Sequence, residues 1–168
     1  SARIYSGIMM PKLTLITARE QETLYYLKKL GIYQNVTPCA DPGYVVEPEI
    51  KAVKISMSSD LNIGINLSPL SVRYGKHSVE ESVRDQAAAI EGLIKEFNAC
   101  VTMIPHVVCD FNEGDDDRRY LRKVKQAIAP KYQGSIRLLD NDPGFLGVKR
   151  ELIKCSLVIA SRMHCAIN

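Results

Sequence analysis

An arginine and a histidine stand close together near the end of the chain, in the segment Ser161-Arg162-Met163-His164. A guanidinium offers a planar set of donors suited to phosphate or carboxylate, and an imidazole gains or loses a proton near neutral pH. On residue type alone, a surface cation and a histidine satisfied in the core are the simpler interpretation. The position of the pair in the predicted fold favours a functional role instead.

That position is the end of a predicted strand. Residues 156–160 form a short apolar, β-branched run typical of a buried parallel strand, and Ser161 follows where a helix N-cap is expected. A helix start leaves backbone N–H groups and a positive dipole end that favour an anion. Open α/β sheets bind ligands at the carboxyl ends of their strands. The segment therefore predicts an anion site.

Three other polar clusters each follow a predicted strand, at residues 17–19, at 66–69, and at 105–106 with 115–116. In a parallel sheet these loops converge along one edge. Two interpretations fit His106 equally well: a residue that faces a ligand, or a loop histidine bonded to a backbone carbonyl. The three acids at 115–117 are expected to be a solvated helix start, where their negative charges oppose the positive end of the helix dipole, with one of them lining the pocket. The candidate pocket residues are His106, Asp116, Asn66 and Ser68, and Arg19 is either a surface residue or a second anion clamp.

Apolar periodicity indicates strands that alternate with helices. We expect strands at residues 13–16, 36–39, 61–67, 100–104, 135–139 and 156–160, and helices at 20–30, 79–98, 115–129 and 144–153. The long helix 79–98 has an apolar stripe formed by Val83, Ala87, Ile90, Ile94 and Phe97. This alternation predicts an α/β fold, with a Rossmann-like parallel sheet and helices on both faces.

Three segments are expected along the chain. Residues 1–44 form a β-α-β tail of a first lobe, residues 45–60 a linker between lobes, and residues 61–168 a second, Rossmann-like lobe. Because the chain starts at Ser1 rather than Met, and the last helix has barely begun at Asn168, we expect a fragment of a longer protein that is inactive alone.

Composition excludes several classes of protein. The net charge of +3 comes with no clustered basic stripe, which argues against a nucleic-acid partner. No apolar run is long enough to cross a membrane. The five cysteines have no CxxC spacing, so neither a zinc site nor a disulfide framework is expected, and Cys100, Cys155 and Cys165 are expected to be buried. GxGxxG and GxxxxGK[ST] are absent, so neither an NAD site nor a P-loop is predicted and no cofactor is expected. HExxH is absent too, and the acidic run 115–117 alone does not supply ligands from several loops, so no metal is predicted.

An ordered set of short motifs gives the chain a family resemblance. ITARE followed by QETLYYLKKLGI, ADP, IGINLSP, VTMIPHV followed by DD, and LVIASRMHCAI occur in this order from Leu13 to the last residue. As a set they resemble the polysaccharide pyruvyl transferase family. The resemblance implies two Rossmann-like lobes around a cleft, as in GT-B glycosyltransferases. It also implies transfer of a pyruvyl group from phosphoenolpyruvate to a sugar of an exopolysaccharide or other surface glycan, often as a cyclic ketal.

The resemblance also implies roles for residues of this chain. His164 matches the catalytic position, Arg162 and Met163 match donor-binding positions, and Arg19 matches the other donor-binding arginine. His106 and Asp116 match recurrent motif positions without assigned roles. The implied partners are phosphoenolpyruvate and a glycan or lipid-linked sugar. The implied location is the cytoplasm, at the inner face of the membrane where the whole protein associates with it peripherally.

Two other functions fit the same residues. A GT-B glycosyltransferase would use Arg162 and the helix start to bind the diphosphate of a nucleotide sugar. A non-enzymatic anion- or sugar-binding module would use the same pocket with His164 as a structural residue. The donor that the whole protein prefers, phosphoenolpyruvate or a nucleotide sugar, distinguishes a pyruvyl transferase from the glycosyltransferase. His164→Gln distinguishes a pyruvyl transferase from the binding module, because it would abolish turnover in the enzyme and leave binding nearly intact in the module.

Overall fold

The structure is a computed structural model that describes residues 2–46 and 61–167 of the chain, with side chains from residue 4 onward. The chain divides into two compact units, Ser1–Val46 and Glu47–Asn168. Most of the predicted linker, at residues 47–60, lies outside the described residues, and Val45 ends a short 3-10 helix, Pro42–Val45. Among the described residues, no helix combines the length and apolar character that crossing a bilayer requires.

The first unit contains the predicted β-α-β arrangement, preceded by a helix that the sequence analysis did not predict. Helix α1 spans Ala2–Met9 and a 3-10 turn spans Met10–Lys12. Strand β1 (Ile16–Ala18) and strand β2 (Val36–Pro38) pair in parallel, with helix α2 (Gln21–Lys29) between them. Strand β1 begins three residues later than predicted, because Leu13 is the extended cap of the 3-10 turn and its N–H donates back to the Met10 carbonyl at 3.1 Å.

Helix α2 ends as its sequence predicts. Leu27 is buried, Leu24 and Leu30 are half-buried on the same stripe, and Gly31 follows with a φ of +75°. A positive φ strains residues that carry a Cβ, so glycine is the natural residue at this C′ position. The chain can then turn directly into the approach to β2.

The described part of the second unit contains a four-stranded parallel sheet. Its strands are β3 (Asn62–Asn66), β4 (Cys100–Met103), β5 (Ile136–Leu138) and β6 (Leu157–Ala160), in the spatial order β5-β4-β3-β6. The helices between and after them are α3 (Pro69–Arg73), α4 (Val79–Phe97), α5 (Asp117–Ala127), α6 (Gly144–Leu152) and α7 (Met163–Ile167). The predicted α/β, Rossmann-like fold is confirmed.

Alternation along the strands creates two cores, one on each face of this sheet. Ile63, Ile65, Val101 and Met103 pack with α4 and α5 in the larger core. On the other face, Ile104 packs with residues of α6, α7, β6 and the segment between α6 and β6, namely Val148, Leu152, Cys165, Val158, Ala160 and Cys155. The central strands are thus covered by helices on both sides, as expected for parallel strands. Strand β6 is not buried as predicted: it is an edge strand, and Leu157 and Ile159 on one of its faces are 51% and 41% exposed.

Helix α4 shows how local sequence sets an element. Ser78 and Glu81 form a reciprocal capping box at its start, and Asn98 ends it in the left-handed region with a φ of 49°. The predicted apolar stripe is buried except for Phe97, which is 57% exposed. Phe97 is the last helical residue, where the chain already turns toward β4, and it therefore escapes the core.

The strand order contains a reversal that matters for function. From β3 the chain moves outward to β4 and β5, and it then returns to place β6 on the opposite side of β3. The loops after β3 and β6 therefore leave the sheet next to each other in opposite directions. In open α/β sheets the crevice at such a switch point is the usual ligand site.

Candidate active site

A cleft of about 310 Å³ opens at this switch point, and we refer to it as the β3–β6 cleft. One side is formed by the segment that follows β3, and the other by the segment that follows β6. Its lining residues are Ser68, Leu70, Ser71, Tyr74, Ser161, Arg162, Met163 and His164. The cleft therefore contains all of the SRMH segment together with the loop that carries the predicted pocket residue Ser68.

Ser68 shapes the wall that follows β3. Its side chain accepts a hydrogen bond from the Leu70 backbone N–H at 3.2 Å and so caps α3, in which Pro69 takes the first position. The side chain of Ser71 donates to the Ser68 carbonyl at 2.6 Å. Ser68 is only 1% exposed, so its role in the cleft is to fix the turn that brings Leu70 and Tyr74 to the lining.

Asn66 joins the ends of three strands. Its Nδ2 donates to the Ile104 carbonyl at 3.0 Å and to Asp117 Oδ2 at 3.2 Å. Its Oδ1 accepts from the Arg162 backbone N–H at 3.2 Å, and its own carbonyl accepts from Ser161 N at 2.9 Å. Asn66 is fully buried beneath the cleft, so it acts on the site through the residues that it positions.

These bonds change the expected anion site at the start of α7. The backbone N–H groups of Ser161 and Arg162 are both engaged by Asn66, so they are not available to an anion. Ser161 also does not stand at the predicted helix start. The first i→i−4 bond of α7 runs from Ala166 N to the Arg162 carbonyl, which places the cap one residue later.

Asp117 is the centre of the hydrogen-bond network below the cleft. Its carboxylate is fully buried and accepts from the backbone N–H groups of His106 at 3.2 Å and Val107 at 3.0 Å. It also accepts from Asn66 Nδ2 and from the guanidinium of Arg162. The ends of β3, β4 and β6 and the start of α5 are therefore tied to one carboxylate.

Arg162 is held by that carboxylate in a bidentate arrangement. Its Nε lies 3.1 Å from both oxygens of Asp117, and its Nη2 lies 2.8 Å from Oδ1 and 3.0 Å from the Asp115 carbonyl. The side chain is 16% exposed. Within the described residues Nη1 has no hydrogen-bond partner, which leaves it as the guanidinium nitrogen that a ligand in the cleft can use.

The other residues of the SRMH segment are more open. His164 is exposed and lines the cleft, and Met163 lines it with half of its surface exposed. Arg162 and His164 thus belong to one cleft, as the sequence predicted. His106 is half-buried in the loop after β4, and its backbone is fixed by Asp117, but its side chain is not among the cleft lining.

Asp116 has a different task from the predicted pocket role. Its fully buried carboxylate caps α5 by accepting from Arg119 N at 3.1 Å, and it also accepts from the Arg118 guanidinium at 3.2 Å and from Cys109 N at 3.4 Å. Burial raises the pKa of this carboxyl, but the hydrogen bonds from Arg119 and Arg118 outweigh it and leave the pKa below its usual value. It does not line the β3–β6 cleft.

The run of three acids is therefore not the solvated helix start that was expected. Asp116 and Asp117 are fully buried, and Asp115 alone is partly exposed, where it pairs with Arg73 at 3.1 Å. The physical reason is that a carboxylate can be buried when hydrogen-bond donors replace the water it loses. Here arginine side chains and backbone N–H groups supply those donors. Asp116 was the predicted pocket acid, whereas Asp117, for which no separate role was predicted, is the acid that binds Arg162.

Arg19, in the first unit, is likewise paired with an aspartate. Its Nη1 donates to Asp41, and its Nε donates to Glu20 at 3.1 Å. These hydrogen bonds raise the pKa of the guanidinium, with Asp41 contributing most. Asp41 also caps the 3-10 helix Pro42–Val45 by accepting from Gly43 N at 2.8 Å. Arg19 follows a strand of a parallel pair, as the sequence predicted.

None of the cysteines lines the β3–β6 cleft. Cys165 is buried, and burial with the nearby charge of Asp117 raises its pKa to about 12, so the thiol stays protonated. Cys100, expected to be buried, is exposed because it is the first residue of β4. Among residues 2–46 and 61–167, no three His, Cys, Asp or Glu side chains converge in a way that could hold a metal ion.

Comparison with known proteins assigns the chain to a family. The family model described as polysaccharide pyruvyl transferase matches residues 3–167, which is nearly the whole chain. Searches of curated proteins and of solved structures returned no significant match. The match spans both units and includes every residue of the β3–β6 cleft. The chain belongs to the polysaccharide pyruvyl transferase family.

Proposed function

We propose that the whole protein transfers a pyruvyl group from phosphoenolpyruvate to a sugar of an exopolysaccharide or other cell-surface glycan and forms a ketal. The observation that carries this proposal is the β3–β6 cleft at the switch point of a parallel sheet. It contains both Arg162 and His164, to which the motif resemblance gives donor-binding and catalytic roles. Phosphoenolpyruvate carries a phosphate and a carboxylate, and both are groups that a guanidinium N–H can bind.

The chemistry assigns distinct tasks to the cleft residues. A sugar hydroxyl adds to the enol carbon of the donor while a proton is delivered to its methylene group, which becomes a methyl. A second hydroxyl of the sugar then displaces the phosphate, and the ketal and inorganic phosphate are the products. His164, exposed in the cleft, is the general acid that delivers the proton.

Arg162 serves mainly as a directional donor. Asp117 compensates its positive charge, so the pair adds little net charge to the cleft. Nη1 remains as a donor of fixed direction for the phosphate or carboxylate of phosphoenolpyruvate. Met163 supplies apolar contact beside it. The resemblance gives Arg19 as the other donor-binding arginine. Within the first unit Asp41 and Glu20 compensate its charge, so that role stays a prediction.

The acceptor is a glycan or a lipid-linked sugar, and the enzyme works in the cytoplasm at the inner face of the membrane. In this proposal the two units belong to lobes of a GT-B-like architecture. No bound cofactor or metal is required, because addition and displacement at the enol carbon need proton transfer and charge compensation only.

Donor binding and turnover test the proposal together. Thermal stabilisation of the whole protein by phosphoenolpyruvate, and not by nucleotide sugars, is expected. Phosphate release from phosphoenolpyruvate, measured with a panel of hexose and N-acetylhexosamine glycosides, is expected to fall about 100- to 10,000-fold in His164→Gln, while donor affinity stays within about threefold. His77→Gln, in an exposed loop outside the cleft, is the matched control and retains activity.

Three results would count against the proposal. Stabilisation by a nucleotide sugar instead of phosphoenolpyruvate would indicate a glycosyltransferase. Donor binding with unchanged turnover in His164→Gln would remove the histidine from the chemistry, and binding without any turnover in the wild type would indicate a binding module.

A further inference from the structure

The carboxylate of Asp117 is more completely engaged than a structural ion pair requires. Oδ1 accepts from Nε and Nη2 of Arg162, and Oδ2 accepts from Nε of Arg162, from Asn66 Nδ2 and from the backbone N–H groups of His106 and Val107. The aspartate is fully buried, so water does not compete for these positions. Every donor lies at the end of β3 or in the segment that follows β4 or β6.

This arrangement fixes the orientation of the Arg162 guanidinium. Nε and Nη2 are both bound to Asp117, and Nη2 also donates to the Asp115 carbonyl, so the plane of the guanidinium cannot rotate without breaking several bonds. Nη1 is the one guanidinium nitrogen without a hydrogen bond in the described residues. The direction in which Arg162 offers a donor to the cleft is therefore set by Asp117.

We infer that Asp117 is the positioning residue of the active site. Its carboxylate directs Nη1 of Arg162 toward the anionic donor, and it holds the backbone of the His106 loop in place through the N–H groups of His106 and Val107. The inference rests on the proposed function for the identity of the donor. It does not make Asp117 a catalytic residue, since its carboxylate lies under the cleft and is not part of the lining.

Charge compensation predicts how kinetic constants respond. Asp117→Asn removes a negative charge beneath the cleft, so attraction of an anionic donor is retained or strengthened, while the guanidinium loses its fixed direction. In the whole protein kcat should fall about 10- to 100-fold, and KM for phosphoenolpyruvate should stay within about threefold or decrease. A merely structural aspartate would lower the folded fraction and leave both constants of the folded protein unchanged.

Asp116→Asn is the matched control. Asp116 is the adjacent residue, is equally buried and is also paired with arginines, but its partners are Arg118 and Arg119. It should lose stability as Asp117→Asn does and keep kcat within about twofold. Asp117→Glu, which keeps the charge and displaces it by one methylene, provides a second test if Asp117→Asn does not fold, and it should also lower kcat.

Nitrogen NMR of the arginine side chains gives a readout that does not depend on the donor. Slow hydrogen exchange is expected at Nε–H of Arg162 in the wild type and in Asp116→Asn, and fast exchange in Asp117→Asn or Asp117→Glu, with Arg162→Lys assigning the signal. Equal exchange rates in all variants, or equal kcat losses at positions 116 and 117, would overturn the inference. If the wild type fails to bind phosphoenolpyruvate, the proposed function fails, and the exchange rates still decide whether Asp117 positions Arg162.

Discussion

Changing Asn66 to aspartate alters one atom at the centre of the site and has a large predicted effect. The substitution replaces Nδ2, which donates to the Ile104 carbonyl at 3.0 Å and to Asp117 Oδ2 at 3.2 Å, with an oxygen that can only accept when ionised. Two hydrogen bonds become two contacts between acceptors, and a second carboxylate is buried against the first. The shape of the side chain is almost unchanged, so packing is a minor term.

The magnitude follows from burial. Asn66 and Asp117 are both fully buried, and an uncompensated charge at such a site costs about 3–5 kcal/mol of folding free energy. This is a large share of the roughly 5–15 kcal/mol by which a folded domain is stable. Burial and the neighbouring carboxylate both raise the pKa of the new carboxyl in the folded state. The cost is therefore small near pH 4 and grows as pH rises above the unfolded value of about 3.9.

Urea unfolding of wild type and Asn66→Asp at several pH values measures this difference. Asn62→Asp is the matched control: it lies at the other end of β3, is only half-buried, and its Nδ2 donates to the Lys154 carbonyl at 2.9 Å. Its cost should be about 1 kcal/mol and vary little with pH. A loss below about 1 kcal/mol in Asn66→Asp at pH 7, or a loss that is the same at pH 4, would refute the network described here.

Two further predictions concern titratable groups. The pKa of Asp116 is lowered in the folded protein, so its contribution to stability is present above the unfolded value of about 3.9 and is lost as pH falls below it. Asp116→Asn should therefore be less stable at pH 7 and less sensitive to acid in urea titrations; an unchanged acid dependence would contradict this. Alkylation at pH 8 followed by mass spectrometry should modify exposed Cys100 within minutes and spare buried Cys165, whose pKa is about 12, until the protein unfolds; modification of Cys165 in the folded protein would contradict its placement.

Much of the fold was predictable because apolar periodicity is a local property. The stripe of α4 and the alternation in β3 identify their elements directly, and the left-handed Gly31 marks the end of α2. Errors lie at the ends of elements, as at β1, where the first residue of the predicted strand, Leu13, is instead the cap of the turn Met10–Lys12. The sheet order could not be read from the sequence, since the return of β6 to the far side of β3 depends on packing between distant segments.

The site was predictable in part for a related reason. Arg162 and His164 follow one strand, so their presence in one cleft needs only that strand's position in the sheet. Asp117 was missed because three successive acids look alike in the sequence. Which of them binds Arg162 depends on how α5 is rotated about its axis and on the position of Arg162, which is 45 residues away along the chain. Asn66 was expected in the pocket wall, and its role as a link beneath the cleft depends on contacts with residues 38 to 96 positions away.

The central claim is that the β3–β6 cleft binds phosphoenolpyruvate through Nη1 of Arg162, beside His164. A crystal structure of the whole protein with phosphoenolpyruvate bound tests this most directly. We predict that the donor occupies the cleft with a phosphate or carboxylate oxygen about 2.7–2.9 Å from Nη1, while Asp117 keeps its contacts to Nε and Nη2. A donor bound elsewhere, or one that Arg162 reaches only by leaving Asp117, would contradict the account.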